Sequence, residues 1–285
     1  MLIWLLTLHL TSAHAKGLLT KIGGCKAPAN KDAANVMIVK QWHLSPRTVT
    51  KGFKEKYPHE KNQSAIYIAL ADKIKSKKID MVIAEGCEGE INDEFTTAFN
   101  GWDLAALKKI AQTKGFDRII TNVPLKLEAR FGDKIITMCG DNEKLIQEGN
   151  LRLSNLRGWA GFWTRLSEPK TADDDQTKLY TEAAAELLKE SKDTPVEELM
   201  PKLKQRFSAE LDLFNKSLTE RNDSFIKTLQ DHPVKSAAIV IGGLHAEDLK
   251  GKLEAAGFNC DLMEPKGYAR EGEELIKEFQ KALKE

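Results

Sequence analysis

The sequence predicts an α/β fold: a mixed, mainly parallel central sheet flanked by helices, carrying a helical insertion. Three observations predict it. Short apolar runs rich in β-branched residues, Val36 to Val39, Met81 to Ala84 and Ala237 to Ile241, suit strands buried on both faces. Longer segments with apolar residues at helical spacing follow them, as βαβ units require. The first two runs give way at once to Lys40 and Glu85, and the third reaches His245 after Gly242-Gly243-Leu244, at the carboxyl ends where open α/β sheets place their ligands.

The clearest unit is Ser236 to Gly257. Ala237 to Ile241 forms a strand, Gly242 and Gly243 allow a sharp turn, and Leu249 and Leu253 repeat as one face of a helix that Gly257 stops. Glu247 and Asp248 suit the positive end of that helix. His245 falls in the turn, facing a helix N-terminus that disfavours imidazolium, so a neutral ring is expected there, able to bind a metal or donate a hydrogen bond.

Taken in order, the first ten residues are almost wholly apolar, and Ala13-His14-Ala15 fits a small-x-small cleavage site, so residues 1–15 read as a signal peptide. The expected localisation is periplasmic or secreted. Ile22-Gly23-Gly24-Cys25 has the outline of a lipoprotein cleavage box, although Lys16 and Lys21 interrupt the apolar stretch before it. No later run is long enough to span a bilayer. Residues 16–285 then read as a single α/β domain. Cys25, Cys87, Cys139 and Cys260 show no C-x-x-C spacing, which argues against a structural zinc site and leaves one or two disulfides, if the chain is exported, or buried thiols.

Val36 to Val39 leads into Lys40-Gln41-Trp42-His43-Leu44-Ser45-Pro46, where Pro46 ends regular structure and leaves His43 in a loop just past a strand. Lys61 to Lys77 carries a helical stripe, and Met81 to Ala84 completes a crossover that brings Glu85 to the same edge as His43. The acidic Gly86 to Glu90 stretch reads as a loop. Helices are expected over Trp102 to Ala111 and Pro124 to Phe131, with a short strand or connection at Arg118 to Thr121. Lys134 to Met138 is the next strand, followed by Asp141 and a helix over Glu143 to Glu148. Asp141 reads equally as a helix N-cap or a site carboxylate.

The aromatics of Arg157 to Trp163 are expected to pack an added helical subdomain at about 149–235. Its helix formers break at Asp193-Thr194-Pro195, where a new helix can open. On the last of these helices Leu211, Phe214, Leu218, Phe225 and Leu229 share a face, and Arg221 occupies that stripe. An arginine there either snorkels to water or enters the interior with carboxylate partners, for which Glu220, Asp223 and Asp141 are the candidates. Phe258 to Met263 reads as a last strand and Glu271 to Leu283 as an amphipathic helix.

Composition narrows the function. Lys plus Arg is 43 and Asp plus Glu 42 among 285 residues, so there is no electrostatic case for a nucleic-acid partner. No P-loop, G-x-S-x-G elbow or H-E-x-x-H helix occurs.

The ordered set His43, Glu85, Asp141, Glu220-Arg221-Asn222 and Gly242-Gly243-Leu244-His245 resembles the TraB/PrgY/GumN and Tiki superfamily, related in fold to erythromycin esterases and the haem-binding ChaN proteins. Gly242 to His245 matches the family's G-x-x-H motif in full; Lys40 to His43 matches it in part, with lysine in place of glycine. The resemblance implies a metal-dependent, peptidase-like hydrolase acting on a peptide or small-molecule substrate. It implies His43, His245 and Glu85 as ligands of manganese, cobalt or zinc, Arg221 as stabiliser of a developing oxyanion, and Glu220 or Asp141 as its orienting or proton-handling partner. Two other readings stay open: a metal-independent esterase with histidine as general base, and a non-catalytic haem- or ligand-binding or degenerate member.

Overall fold

The computed structural model describes residues 17–26, 33–42, 58–113, 122–167 and 175–284, so the signal-peptide reading, His43 and the Arg118 to Thr121 segment lie outside the described residues. The chain divides into two compact units. One comprises residues 1–143 and 221–272, and the other residues 144–220 and 273–285.

The first unit is α/β, as expected. Its strands are β1 (Leu19–Gly24), β2 (Asn35–Gln41), β3 (Met81–Ala84), β4 (Glu88–Glu90), β5 (Ile136–Gly140), β6 (Ser236–Gly242) and β7 (Asn259–Pro265). They form one sheet in the order β1-β7-β2-β6-β3-β5-β4. The five inner strands run parallel, and β1 and β4 close the edges antiparallel. The sequence reading contained neither edge strand. Both are short on apolar residues, β4 being Glu-Gly-Glu and exposed throughout, so only pairing defines them.

Buried side chains alternate between the two faces of the sheet. On one face Ile38, Ile83, Ile239 and Ile241 meet Phe225 and Leu229 from the end of helix α7 (Val196–Asp231) and Ala246, Leu249 and Leu253 of α8 (Gly243–Ala255). On the other, Val39, Val82, Ala238 and Val240 pack on Ile66, Leu70 and Ile74 of α1 (Pro58–Lys75) and Val123, Leu127 and Phe131 of α4 (Val123–Phe131). Burial of the β-branched rows on both faces is the main stabilising term, about 1.5–3 kcal/mol for each fully buried side chain. Two further helices, α2 (Asp93–Asn100) and α3 (Leu104–Ile110), start where Asn92 and Asp103 accept hydrogen bonds from Phe95 and Ala106 amides. The expected helix at Trp102 therefore begins two residues later, at its cap.

The second unit contains most of α5 (Glu143–Ser167), α6 (Asp175–Leu188), α7 up to Glu220 and most of α9 (Glu271–Ala282). Trp159, Phe162 and Trp163 pack against Leu166, Ala184, Val196 and Leu203, so the aromatic cluster is core. The break at Asp193 to Pro195 separates α6 from α7 as read. The C-terminal helix joins this unit through Phe279, whose ring meets Phe207 edge-on at 5.4 Å.

Candidate functional site

The strands β3, β5 and β6 are adjacent and parallel. Glu85 and Asp141 follow the carboxyl ends of β3 and β5, and His245, expected in the turn, lies instead in the first turn of α8 directly after β6, because the helix starts at Gly243. Arg221, from the part of α7 that covers this face, reaches down to them. Its Nε donates to both Asp141 oxygens at 3.1 Å, and its Nη2 donates to Asp141 Oδ2 and, at 3.1 Å, to Glu85 Oε1. The side chains of Arg221, Glu85 and Asp141 are 12%, 6% and 0% exposed, so this is a buried ion-pair network and Arg221 does not snorkel. Burial pulls the guanidinium pKa down, but hydrogen bonding to Asp141 and the charges of Glu85 and Asp141 outweigh it, and the net shift is upward. A cation with a raised pKa gives its full stabilisation below its ordinary value and loses it only above the raised one, so Arg221 stays charged at every pH the fold meets.

Each carboxylate also accepts from backbone amides. Asp141 also accepts from the Gly86 amide at 3.2 Å and from its neighbour Asn142 at 3.0 Å. Glu85 Oε2 accepts a short hydrogen bond from the amide of Gly242, at the start of α8, where the helix N-terminus favours negative charge. Gly242 has φ −58° and ψ 146°, open to any residue, so this amide rather than conformational freedom is what the turn contributes. Two other glycines are sterically required. Gly86 has φ +83°, and a Cβ on Gly140 would lie 2.4 Å from Ile83 and 2.5 Å from Phe225. Gly140 thus lets α7 approach β5 closely enough for Arg221 to reach Asp141.

His245 is 3% exposed, and its two nitrogens have different neighbours. Nδ1 lies 2.9 Å from Asn222 Oδ1, and Nε2 lies 3.3 Å from Glu85 Oε1. The Asn222 amide nitrogen already donates to the His245 carbonyl at 3.1 Å and to Asp248 at 2.7 Å. Its oxygen is therefore the acceptor, which assigns the proton to His245 Nδ1. A neutral His245 then turns the Nε2 lone pair toward the Glu85 carboxylate. Two acceptors 3.3 Å apart repel unless a positive centre, a proton or a metal ion, sits between them.

The separation suits a metal ion. Two ligands at about 2.1 Å on a tetrahedral ion stand about 3.4 Å apart, and a metal-ligating histidine normally commits its other N–H to a neighbour, as His245 does to Asn222. Among the described residues no third His, Cys, Asp or Glu joins the pair to complete a metal-binding group. His43 lies outside them. The described residue before it, Trp42, donates its amide to Asn62 Oδ1 at 2.9 Å and accepts at its carbonyl from Gln63 Nε2 at 3.2 Å.

The remaining candidates separate. Glu220 pairs with Lys216 at 3.6 Å and Asp223 with Lys252, so neither is the carboxylate partner of Arg221; Glu85 and Asp141 are. Asn222, fully buried, belongs to the Glu220-Arg221-Asn222 motif, in which the sequence reading assigns it no role; in the structure it partners His245. It stands four residues after Leu218 and three before Phe225, inside the same helical stripe that drew attention to Arg221. The cysteines form two disulfides, Cys25–Cys260 and Cys87–Cys139. A groove of about 450 Å³ within the helical unit, bordered by Arg157, Arg165 and Phe279, has no carboxylate or imidazole among its lining residues and so offers no comparable acid–base chemistry. Compared with family models, curated proteins and solved structures, the chain matches none of them.

Proposed function

We propose that the protein is a metal-dependent hydrolase of the TraB/GumN and Tiki type, with an arrangement of the erythromycin-esterase and ChaN kind. The observation that carries this reading is His245 Nε2 facing Glu85 Oε1 at 3.3 Å, with the other ring nitrogen 2.9 Å from Asn222 Oδ1. The same observation disfavours the metal-independent alternative. An orienting carboxylate accepts an imidazole N–H and leaves the second nitrogen as base, whereas here Asn222 takes Nδ1 and the carboxylate faces the nitrogen that would have to act as base.

His245 and Glu85 would hold manganese, cobalt or zinc, with His43 as the third ligand that the family resemblance supplies. A divalent ion so held supplies a water nucleophile near neutral pH. The chain's own groups do the rest. Asn222 fixes the His245 tautomer, and Asp141 holds Arg221 through Nε and Nη2. Among the described residues Arg221 Nη1 makes no hydrogen bond, leaving its N–H groups available to a developing oxyanion. Glu220 is left without a part in the chemistry. A peptide-type substrate rests on the resemblance alone. Both disulfides, together with the apolar N-terminal stretch, support an exported protein in an oxidising compartment.

Titration calorimetry of the purified mature chain with manganese, cobalt and zinc tests this. One equivalent of metal is expected on the wild type, and none on His245→Ala or Glu85→Gln at the same concentrations. A folded wild type that binds none of the three would sink the metal mechanism.

A further inference from the structure

We propose that the Cys87–Cys139 disulfide is a positioning element of the site, which holds the Glu85 and Asp141 loops in the register that lets a single arginine bind both carboxylates. Cys87 stands two residues after Glu85, and Cys139 two residues before Asp141. The bond is therefore the covalent rung next to the ionic one. Around it the Gly86 amide donates to Asp141, and the Asp141 amide donates to the Cys87 carbonyl at 3.1 Å.

Beyond Arg221 and the β3–β5 ladder, the ties between these loops are exposed. β4 has three residues, all exposed, on the open edge of the sheet. Glu88 accepts from Asn142 Nδ2 and the Glu143 amide, but these contacts are exposed to solvent. Two buried carboxylates on neighbouring strands repel one another, and Arg221 and the β3–β5 ladder, which ends at the Ala84–Cys139 pair, oppose their separation. The disulfide does so from within: Cys87 and Cys139 are 7% and 3% exposed and pack among Ala84, Ile91, Leu125 and Ala129. That burial shields the bond from exchange with solvent thiols and makes its role permanent.

The second disulfide is a matched control. Cys25–Cys260 joins the end of β1 to the start of β7, level with Val36 at the amino end of β2 and so at the opposite end of the parallel strands from the site.

The proposal rests on the reading of Glu85 as a ligand, and two measurements keep the two ideas apart. Hydrogen exchange is followed at the Gly86 and Asn142 amides, the two backbone donors to Asp141, in the wild type, Cys87→Ala/Cys139→Ala and Cys25→Ala/Cys260→Ala. Protection should be lost at both amides in the first variant only. Manganese, cobalt and zinc affinity should fall about 10-fold or more in that variant and stay within about twofold of wild type in the other, the scale seen when outer-shell support is removed. Wild-type protection in folded Cys87→Ala/Cys139→Ala, or equal loss in both variants, overturns the proposal. A wild type that binds no metal sinks the ligand reading, while the exchange comparison still decides the positioning role. Should the double alanine variant not fold, Cys87→Val/Cys139→Ala returns side-chain volume and carries the same comparison.

Discussion

Asp80 and Glu85 flank the same four-residue strand, β3, and each accepts a hydrogen bond from the backbone of the same neighbour, β6. At the amino end Asp80 Oδ2 takes the Ser236 amide at 3.1 Å and its hydroxyl at 2.9 Å. At the carboxyl end Glu85 Oε2 takes the Gly242 amide, while Oε1 faces Arg221 and His245. Asp80 is exposed, and neutral donors suffice for it. The Glu85 side chain is buried and shares one oxygen between a cation and an imidazole nitrogen. Two carboxylates with the same topological duty thus differ in environment: one staples strands, and the other holds charge out of water that stability alone does not require.

Removing the guanidinium should separate the two ends most strongly. Arg221→Ala leaves two carboxylates buried without their cation and should lower unfolding free energy by about 3–5 kcal/mol in urea titrations, the cost of breaking a buried pair from one side. Parity with the Asp80 variant below would mean that the network is solvated. Asn222→Ala comes next. It removes the acceptor for His245 Nδ1–H and the donor to the His245 carbonyl, and should cost about 1–3 kcal/mol while weakening metal binding about 10- to 100-fold. Asn222→Asp keeps the acceptor but not the donor, so more affinity should survive in it than in the alanine variant. Asp80→Ala is the smallest, about 1 kcal/mol of stability with metal affinity unchanged. A loss of affinity there would dissolve the contrast between the two ends.

The disulfides sharpen the same comparison in the opposite sense. Cys25–Cys260 closes a span of 235 residues and Cys87–Cys139 one of 52, so chain entropy makes the first worth about 1 kcal/mol more to global stability. Removing the bond that matters more to the fold should matter less to the site. Thermal or denaturant midpoints of the two double variants, set beside their metal affinities, should therefore rank in opposite orders.

The five inner strands read from the sequence are present, with β5 displaced to Ile136–Gly140 because Gly140 continues the ladder to Glu88 and Lys134 turns with the end of α4. Hydrophobic runs and their spacing are local properties, so the positions of Glu85 and Asp141 just past strand ends followed from sequence, as did that of His245 near the end of β6, although it starts the helix and does not lie in a turn. The β1 and β4 edges did not, since their residues carry no apolar pattern and exist as strands only through a partner.

Which of those end groups meet was decided by the tertiary structure. Arg221 reaches Asp141 across 80 residues and Glu85 across 136, and Glu85 meets the Gly242 amide across 157. Insertion of β6 between β2 and β3 brings these distant segments together. Sequence spacing named Glu220 and Asp223 as partners for Arg221 because they are its neighbours on the helix, but side chains one and two residues away on a helix point elsewhere. The His245 tautomer was equally beyond reach, since it depends on where the Asn222 amide donates. Burial pattern is written along the chain; the pairing of buried charge is written only in the order of the strands.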